Sequence, residues 1–469
     1  MATLQTKKEE NEYALSRFLY ILEAMLEYFV SIAVGTVYLA KITKYVGIGD
    51  EITAILTAFV SLGCSFQLFS IFLGGKTSVK RFVSAGHIVS QLLFTCLYVI
   101  PLLGIPSGVK TVVLVFALLA AQIIHNLVNA PKINWFMSMV KNEERGRFTA
   151  VKEIVSLVGG TLFSYALSFT IDRFEAQGNL RGAFVVGSIL LGSLTLLHTL
   201  TLIFAEKPKR ESTAQSHNMK RLMKNKTLLK LIPVATLWIA ANYATTSFSG
   251  TYMNNELGFS LTFSSTVVLI GSFCRVLFSV PFGKFADKKG FRPMLVTCCS
   301  VAAAAYFLNI FTSPANGKVL YPIYYGLHCI SMAGINSAMI NLIYDYVQPE
   351  DRTGALALNQ SVSGVAGFLV TLALTPAMKA IRGRGNVIFG RTVYAQQIFS
   401  GVSLLIVAAL IAYLCTVIKK LTHADKVVSD KAAAMTATAA TAAATVAATA
   451  DGETVLNEAA ATDTETTEK

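Results

Sequence analysis

The chain has 469 residues, 54% of them apolar and only 14% charged, against roughly 25% charged in a soluble protein. A mean hydropathy of +0.56 and long apolar runs exclude an ordinary soluble domain and point to the lipid bilayer. The formal charge of +13 is no nucleic-acid footprint, because Lys and Arg of membrane proteins gather in cytoplasmic loops.

In chain order, a polar segment at 1–14 carries Lys7, Lys8, Glu9, Glu10 and Glu12. The apolar stretch after it is too long for the core of a cleavable signal. A membrane-crossing helix needs about 20 mostly apolar residues, and that rule marks twelve spans. Six fall at 15–40, 51–73, 82–104, 110–139, 149–171 and 183–205, and six at 229–253, 260–282, 294–312, 319–346, 356–380 and 396–418. The expected fold is therefore an all-α membrane protein, with six spans over 15–205 and six over 229–418. Residues 206–228 between them read as a polar linker with a basic amphipathic part. Beyond 419 the chain becomes Ala/Thr-rich and loses its aromatics. Such a composition cannot bury enough apolar surface to offset the entropy of ordering, so 419–469 is expected to be a disordered tail.

Loop charge sets the expected orientation. The loops after spans 2, 4, 6, 8 and 10 hold about twice as many Lys and Arg as the alternate loops, which places both termini and the linker in the cytoplasm. The basic loop RGRGNVIFGR at 382–391 runs against this bias. The seven cysteines all lie in apolar segments without a CxxC spacing, so they read as small buried hydrophobes; neither a metal site nor a cofactor is expected.

A repeat relates the two sets of spans. Asn129, Ile133, Asn134, Val140, Glu143 and Arg145 return 207 positions later as Asn336, Ile340, Asn341, Val347, Glu350 and Arg352. In the same register Ala150, Val155, Ser156, Val158, Gly160 and Leu162 match Ala357, Val362, Ser363, Val365, Gly367 and Leu369. With a one-residue shift, to an offset of 208, Gly75, Lys76 and Lys80 answer Gly283, Lys284 and Lys288, with Val79 standing where Asp287 stands. Two pseudo-symmetric six-helix bundles follow, and parallel repeats of this kind place a binding site between the halves near the midplane.

Gly283, Asp287, Lys288, Gly290 and Arg292 in GKFADKKGFRP resemble the loop motif of the major facilitator superfamily. The twelve spans, the basic central linker and the Arg-bearing loops at Arg145 and Arg352 are similar to that family over about 15–418. The resemblance implies alternating-access movement of a small solute, a cavity lined by spans 1, 4, 7 and 10, and a gate at Gly283, Asp287, Arg292, Arg145 and Arg352. Val79 in place of the first-half Asp makes the gate asymmetric: Asp287 can pair with Arg352 when the cytoplasmic side closes, whereas Arg145 lacks an equivalent partner. Span 5 (LVGGTLFSYAL) lacks the Gly-Pro pair of drug/proton antiporters, and EKPKRES replaces the sugar-porter Pro-Glu-Ser-Pro-Arg element.

Ionisable residues inside a membrane are costly and mark function by default. Tyr20, Glu23, Glu27 and Ser31 share one face of span 1. With hydrocarbon beginning at Phe18, Glu27 lies about 13 Å deep, near the midplane, and Glu23 nearer the interface. Span 4 carries Gln122, His125, Asn126, Asn129, Lys132 and Asn134, with Pro131 to loosen the helix. Lys132 falls at a depth similar to Glu27, so the two are expected to face each other. Trp238, Asn242 and Tyr243 on span 7, and His328, Asn336 and Asn341 on span 10, complete a lining of amides and aromatics suited to a polar solute. The amides could equally serve interhelical hydrogen bonding. His198 on span 6 shows no partner in the sequence. Arg275 on span 8 lies about 12 Å along the helix from Gly283, where it either snorkels or binds an anionic group.

The sequence thus reads as a monomeric cell-membrane transporter that imports a small polar solute with protons, efflux being the alternative. A receptor or sensor would explain Val79 but not the deep charges; an enzyme is disfavoured by the lack of HExxH or GxSxG. A single cysteine placed at Ser212 in the linker should resist an impermeant maleimide added to intact cells and react once the membrane is opened. Labelling from outside would invert the topology.

Overall fold

In a computed structural model, the described residues are 13–70, 78–140, 145–207, 219–348 and 351–421. Eleven continuous helices among them are long and apolar enough to cross a bilayer, and Ala14–Ala33 with Thr36–Val46 makes a twelfth, bent by 46°. After this bent span 1 come spans 2 (Asp50–Phe69), 3 (Val79–Leu102), 4 (Ser107–Met137), 5 (Arg145–Ala176) and 6 (Leu180–Phe204). The second half holds spans 7 (Lys226–Glu256), 8 (Leu261–Lys289), 9 (Phe291–Asn309), 10 (Gly317–Tyr346), 11 (Arg352–Gly383) and 12 (Ala395–Lys420).

Span 1 was expected as one segment ending at 40, but it breaks at Val34–Gly35 and continues to Val46. Gly35 takes an extended backbone (ψ 171) that ends one helix and starts the next, and Gly47 (φ +85) ends the second. Span 7 also runs longer than expected and closes in a π-helical turn, Tyr252–Glu256. The linker helix Met219–Lys224 precedes Asn225, whose side chain accepts from the N–H groups of Thr227 and Leu228 and so starts span 7. Residues 208–218, the tail from 422, Glu143, Glu350 and Lys76 lie outside the described residues.

Helix packing repeats the sequence symmetry. In the first half span 1 packs on spans 5 and 6, span 3 on spans 4 and 6, and span 2 on span 4. In the second, span 7 packs on spans 11 and 12, span 9 on spans 10 and 12, and span 8 on span 10. The halves meet along spans 2 and 11 and along spans 5 and 8.

Both seams are latched on the face opposite the linker. Asp172, near the end of span 5, accepts hydrogen bonds from the N–H groups of Leu261 (3.0 Å) and Thr262 (2.7 Å) at the start of span 8. A carboxylate there satisfies orphan donors and the positive end of the helix dipole. At the other seam Arg382, near the end of span 11, pairs with Asp50 at the start of span 2, while Asn255 donates to both Asp50 oxygens (2.8 and 3.0 Å). Glu256 lies 3.4 Å from Arg382. One Arg of the basic 382–391 loop is thus neutralised on its own face. The outer piece of span 1 also meets span 7: Asn254 donates to the Val37 carbonyl at 2.9 Å, and a Cβ on Gly250 would come within 2.2 Å of the Thr36 carbonyl oxygen. Glycine is required there by close backbone approach.

The linker-side halves of the 5–8 seam are splayed. None of residues 151–159 or 272–285 is buried, in contrast to Leu167, Ser168, Ile171, Ser264 and Ser265 farther along the same seam. Asp172→Ala should therefore weaken closure of the latched face by about 1–2 kcal/mol. Spin labels at Lys44 and Lys318, exposed on opposite halves of that face, should show a larger long-distance population in the variant; an unchanged distribution would dismiss the latch.

Candidate functional site

Two linked features occupy the interior: a buried charge cluster in the first half and a cavity between the halves. The cluster begins with the i, i+4 pair Glu23 and Glu27 on span 1. Lys132 on span 4 donates to Glu23 Oε1 at 3.0 Å and also pairs with Glu27. Glu23 is 0% and Lys132 4% exposed, whereas Glu27 is 12% exposed. The expected Glu27–Lys132 pair is thus present. Glu23, expected nearer the interface, is instead fully enclosed, because span 6 covers it and the aromatic layer below closes the way to the linker face. In that layer Tyr20 stacks on Phe136 (4.3 Å) and Phe136 on Trp135 (4.5 Å). Trp135 donates to the Glu206 carbonyl at 2.9 Å.

Three histidines surround the carboxylates. His198 Nε2 lies 3.1 Å from Glu23 Oε1, so the histidine that shows no partner in the sequence has one across the bundle. His125 Nε2 lies 3.4 Å from Glu27 Oε1. His87 on span 3 packs edge-on to His125 (5.6 Å) and 5.9 Å from His198. Sequence reading missed His87 and gave His198 no role; their common signal was a mid-span position on adjacent helices. Both His87 ring nitrogens, Glu23 Oε2 and His198 Nδ1 are buried without a hydrogen-bond partner. Glu23, Glu27, His87 and His198 each offer a donor atom, all within 4.8 Å of one another, an arrangement close enough to hold an ion that the sequence did not suggest. The Lys132 ammonium already supplies a cation to both carboxylates.

The cavity measures about 430 Å³, within the range of small-molecule sites. Of the residues named on spans 4, 7 and 10, Gln122, His125, Asn126, Asn242, Tyr243 and His328 line it, together with Gln91, Arg275 and Tyr325. His125 belongs to both features and joins them. Trp238 is buried behind the wall, stacked 6.2 Å from His328. Asn129, Asn336 and Asn341 are not among the lining residues; Asn341 donates to the Ser337 carbonyl of its own helix (2.9 Å), as an amide does when no ligand competes. Asn126 likewise donates to the Gln122 carbonyl at 2.9 Å.

Of the gate residues, Gly283 and Asp287 are exposed and Arg292 is half-buried. Arg352 donates to the carbonyls of Tyr344 (2.7 Å) and Val347 (3.2 Å) and lies over the Tyr344 ring, not against Asp287. The Arg145 side chain lies outside the described residues.

A family model for the Major Facilitator Superfamily matches residues 18–371. The chain belongs to the major facilitator superfamily. It is a multi-pass membrane transporter and not an enzyme. Solved structures similar to this major facilitator include a point variant of the nucleoside transporter NupG, with a TM-score of 0.65 at 15% identity, covering 85% of this chain and 99% of that one. A D-xylose-proton symporter has a TM-score of 0.62 at 16% identity, covering 85% and 97%. The xylose transporter XylE from E. coli, in an inward open conformation, has 0.61 at 12%, covering 84% and 95%. At these identities the likeness shows the fold alone. No curated protein matches the chain in sequence.

Removing the cation from this cluster should be costly. Lys132→Ala leaves two buried carboxylates unpaired and should destabilise the major facilitator fold by about 3–5 kcal/mol. Thermal unfolding in detergent should show a large drop for Lys132→Ala and a partial recovery when Glu27→Gln is added. Equal melting temperatures for wild type and Lys132→Ala would mean that the lysine carries no charge compensation.

Proposed function

We propose that this transporter imports a small polar solute together with protons across the cell membrane, with both termini cytoplasmic and the halves 15–205 and 229–418 rocking about the cavity. On this reading the linker-side opening of the 5–8 seam, with spans 2 and 11 still joined there through Ser61–Gly364 and Ser361–Ser65, is an inward-open state. The observation that carries the proposal is the charge balance of the buried cluster. Two carboxylates share the single ammonium of Lys132, and a proton is the smallest cation that can serve the second carboxylate.

Glu27 is the group best placed to take that proton. It is the more accessible carboxylate and touches His125 on the cavity wall. While Lys132 faces it, Glu27 remains ionised. If a shift of span 4 against span 1 within the first half draws Lys132 toward Glu23, Glu27 is left as a buried carboxylate without its cation and accepts a proton from the cavity through His125. Return of Lys132 releases the proton on the other side. The two states differ in the partner of one ammonium, a differential contact of the kind that coupling requires. A proton symporter among the similar folds agrees with this reading.

Proteoliposomes loaded with a solute found by a thermal-shift screen of sugars, amino acids and organic acids provide the test. Glu27→Gln should retain solute counterflow and lose accumulation driven by a pH gradient. Continued pH-driven accumulation would remove Glu27 as the carrier and turn attention to Glu23 or His125. Wild-type movement of solute against an inward proton gradient would favour efflux.

A further inference from the structure

We infer that the solute is a hydroxylated organic anion whose charged group binds Arg275, an inference that rests on the transport reading above. Arg275 lines the cavity from span 8. No Asp or Glu is among the lining residues, and among the described residues Arg275 has no ion pair. Lys132 is the nearby contrast: it is held by two carboxylates, whereas Arg275 faces the space between the halves without an acid. Arg275 is exposed to that space, and the planar fork of its guanidinium suits a carboxylate or a phosphate.

The rest of the lining points to the body of the solute. Gln91 is 1% and His328 4% exposed, and Gln91 Oε1 and His328 Nδ1 are buried without a hydrogen-bond partner. Asn242 Oδ1, on the same half as His328 and across from Gln91, is also unpartnered. The two amide oxygens can only accept, so the solute must bring donors; hydroxyl groups supply them and can accept from the tyrosines as well. Buried polar atoms left unmatched cost about 1–3 kcal/mol each, so a solute that satisfies them is favoured over one that does not.

Charge also links this inference to the proton. Moving one anion into a cell with a negative interior costs about 2.3 kcal/mol per 100 mV. One proton carried with a monoanion cancels that cost, and Glu27 is the group proposed above to carry it. Uptake is then driven by the pH gradient and insensitive to membrane potential.

Equilibrium binding to the purified full-length transporter tests the anion without any gradient. Thermal stabilisation by gluconate, glucose 6-phosphate and glucose is compared, three solutes that share a hydroxylated body and differ in charged group. Gluconate or glucose 6-phosphate should bind wild type at least tenfold more tightly than glucose. Preference between these two identifies carboxylate or phosphate as the bound group. Arg275→Gln should weaken the preferred anion at least tenfold, and Arg275→Lys should restore part of the loss. Equal binding of glucose, binding of none of the three, or anion binding independent of Arg275 would overturn the inference. The wild-type comparison stands even if a variant folds poorly. Failure here leaves proton coupling intact, and failure of the Glu27 transport test leaves the anion site intact.

Discussion

The buried ammonium of Lys132 between Glu23 and Glu27 is the constraint around which the first half is arranged. In a bilayer an isolated charge is too costly to keep, so each ion must be matched inside the bundle. The match requires span 1 to present Glu23 and Glu27 to span 4, span 6 to bring His198 to Glu23, and span 3 to close the side with His87. The aromatic stack of Tyr20, Phe136 and Trp135 then keeps water out from the linker side. One cation thus fixes the relative positions of four helices and leaves Glu27 and His125 as the route to the cavity.

The two halves share a packing plan but not a chemistry. The first half holds its charges inside the bundle. The second lines the cavity with Arg275, Asn242, Tyr243, Tyr325 and His328 and shows no comparable cluster among its described residues. The latches between the halves differ in the same way: one seam is closed by a carboxylate on helix N–H groups and the other by an Arg–Asp pair. Symmetry sets where the halves touch, and local residues set what holds them.

Much of this was legible before the structure. Apolar runs of bilayer length located the spans, and the Asn, Glu and Arg register at 129–145 and 336–352 exposed the duplication. Depth along the helix paired Glu27 with Lys132. What escaped were contacts between helices distant in sequence. His198 and Glu23 lie 175 positions apart, and no periodicity on either helix reports that they meet. Asn129, Asn336 and Asn341 share the type of residue that lines a cavity, but rotation and depth decide which amides reach it. The bend at Gly35 was missed because a single glycine inside an apolar run does not by itself break a helix.

That bend gives span 1 membership in both halves. Its inner piece carries Glu23 and Glu27 into the charge cluster, and its outer piece lies against Gly250 and Asn254 of span 7. A straight helix would pass any tilt at one end directly to the other. An articulated one can set the angle of its outer arm while its inner arm stays anchored to Lys132. The charge cluster and the latched outer face are then mechanically joined by one jointed rod, and the stiffness of the Val34–Gly35 joint sets how tightly they keep step.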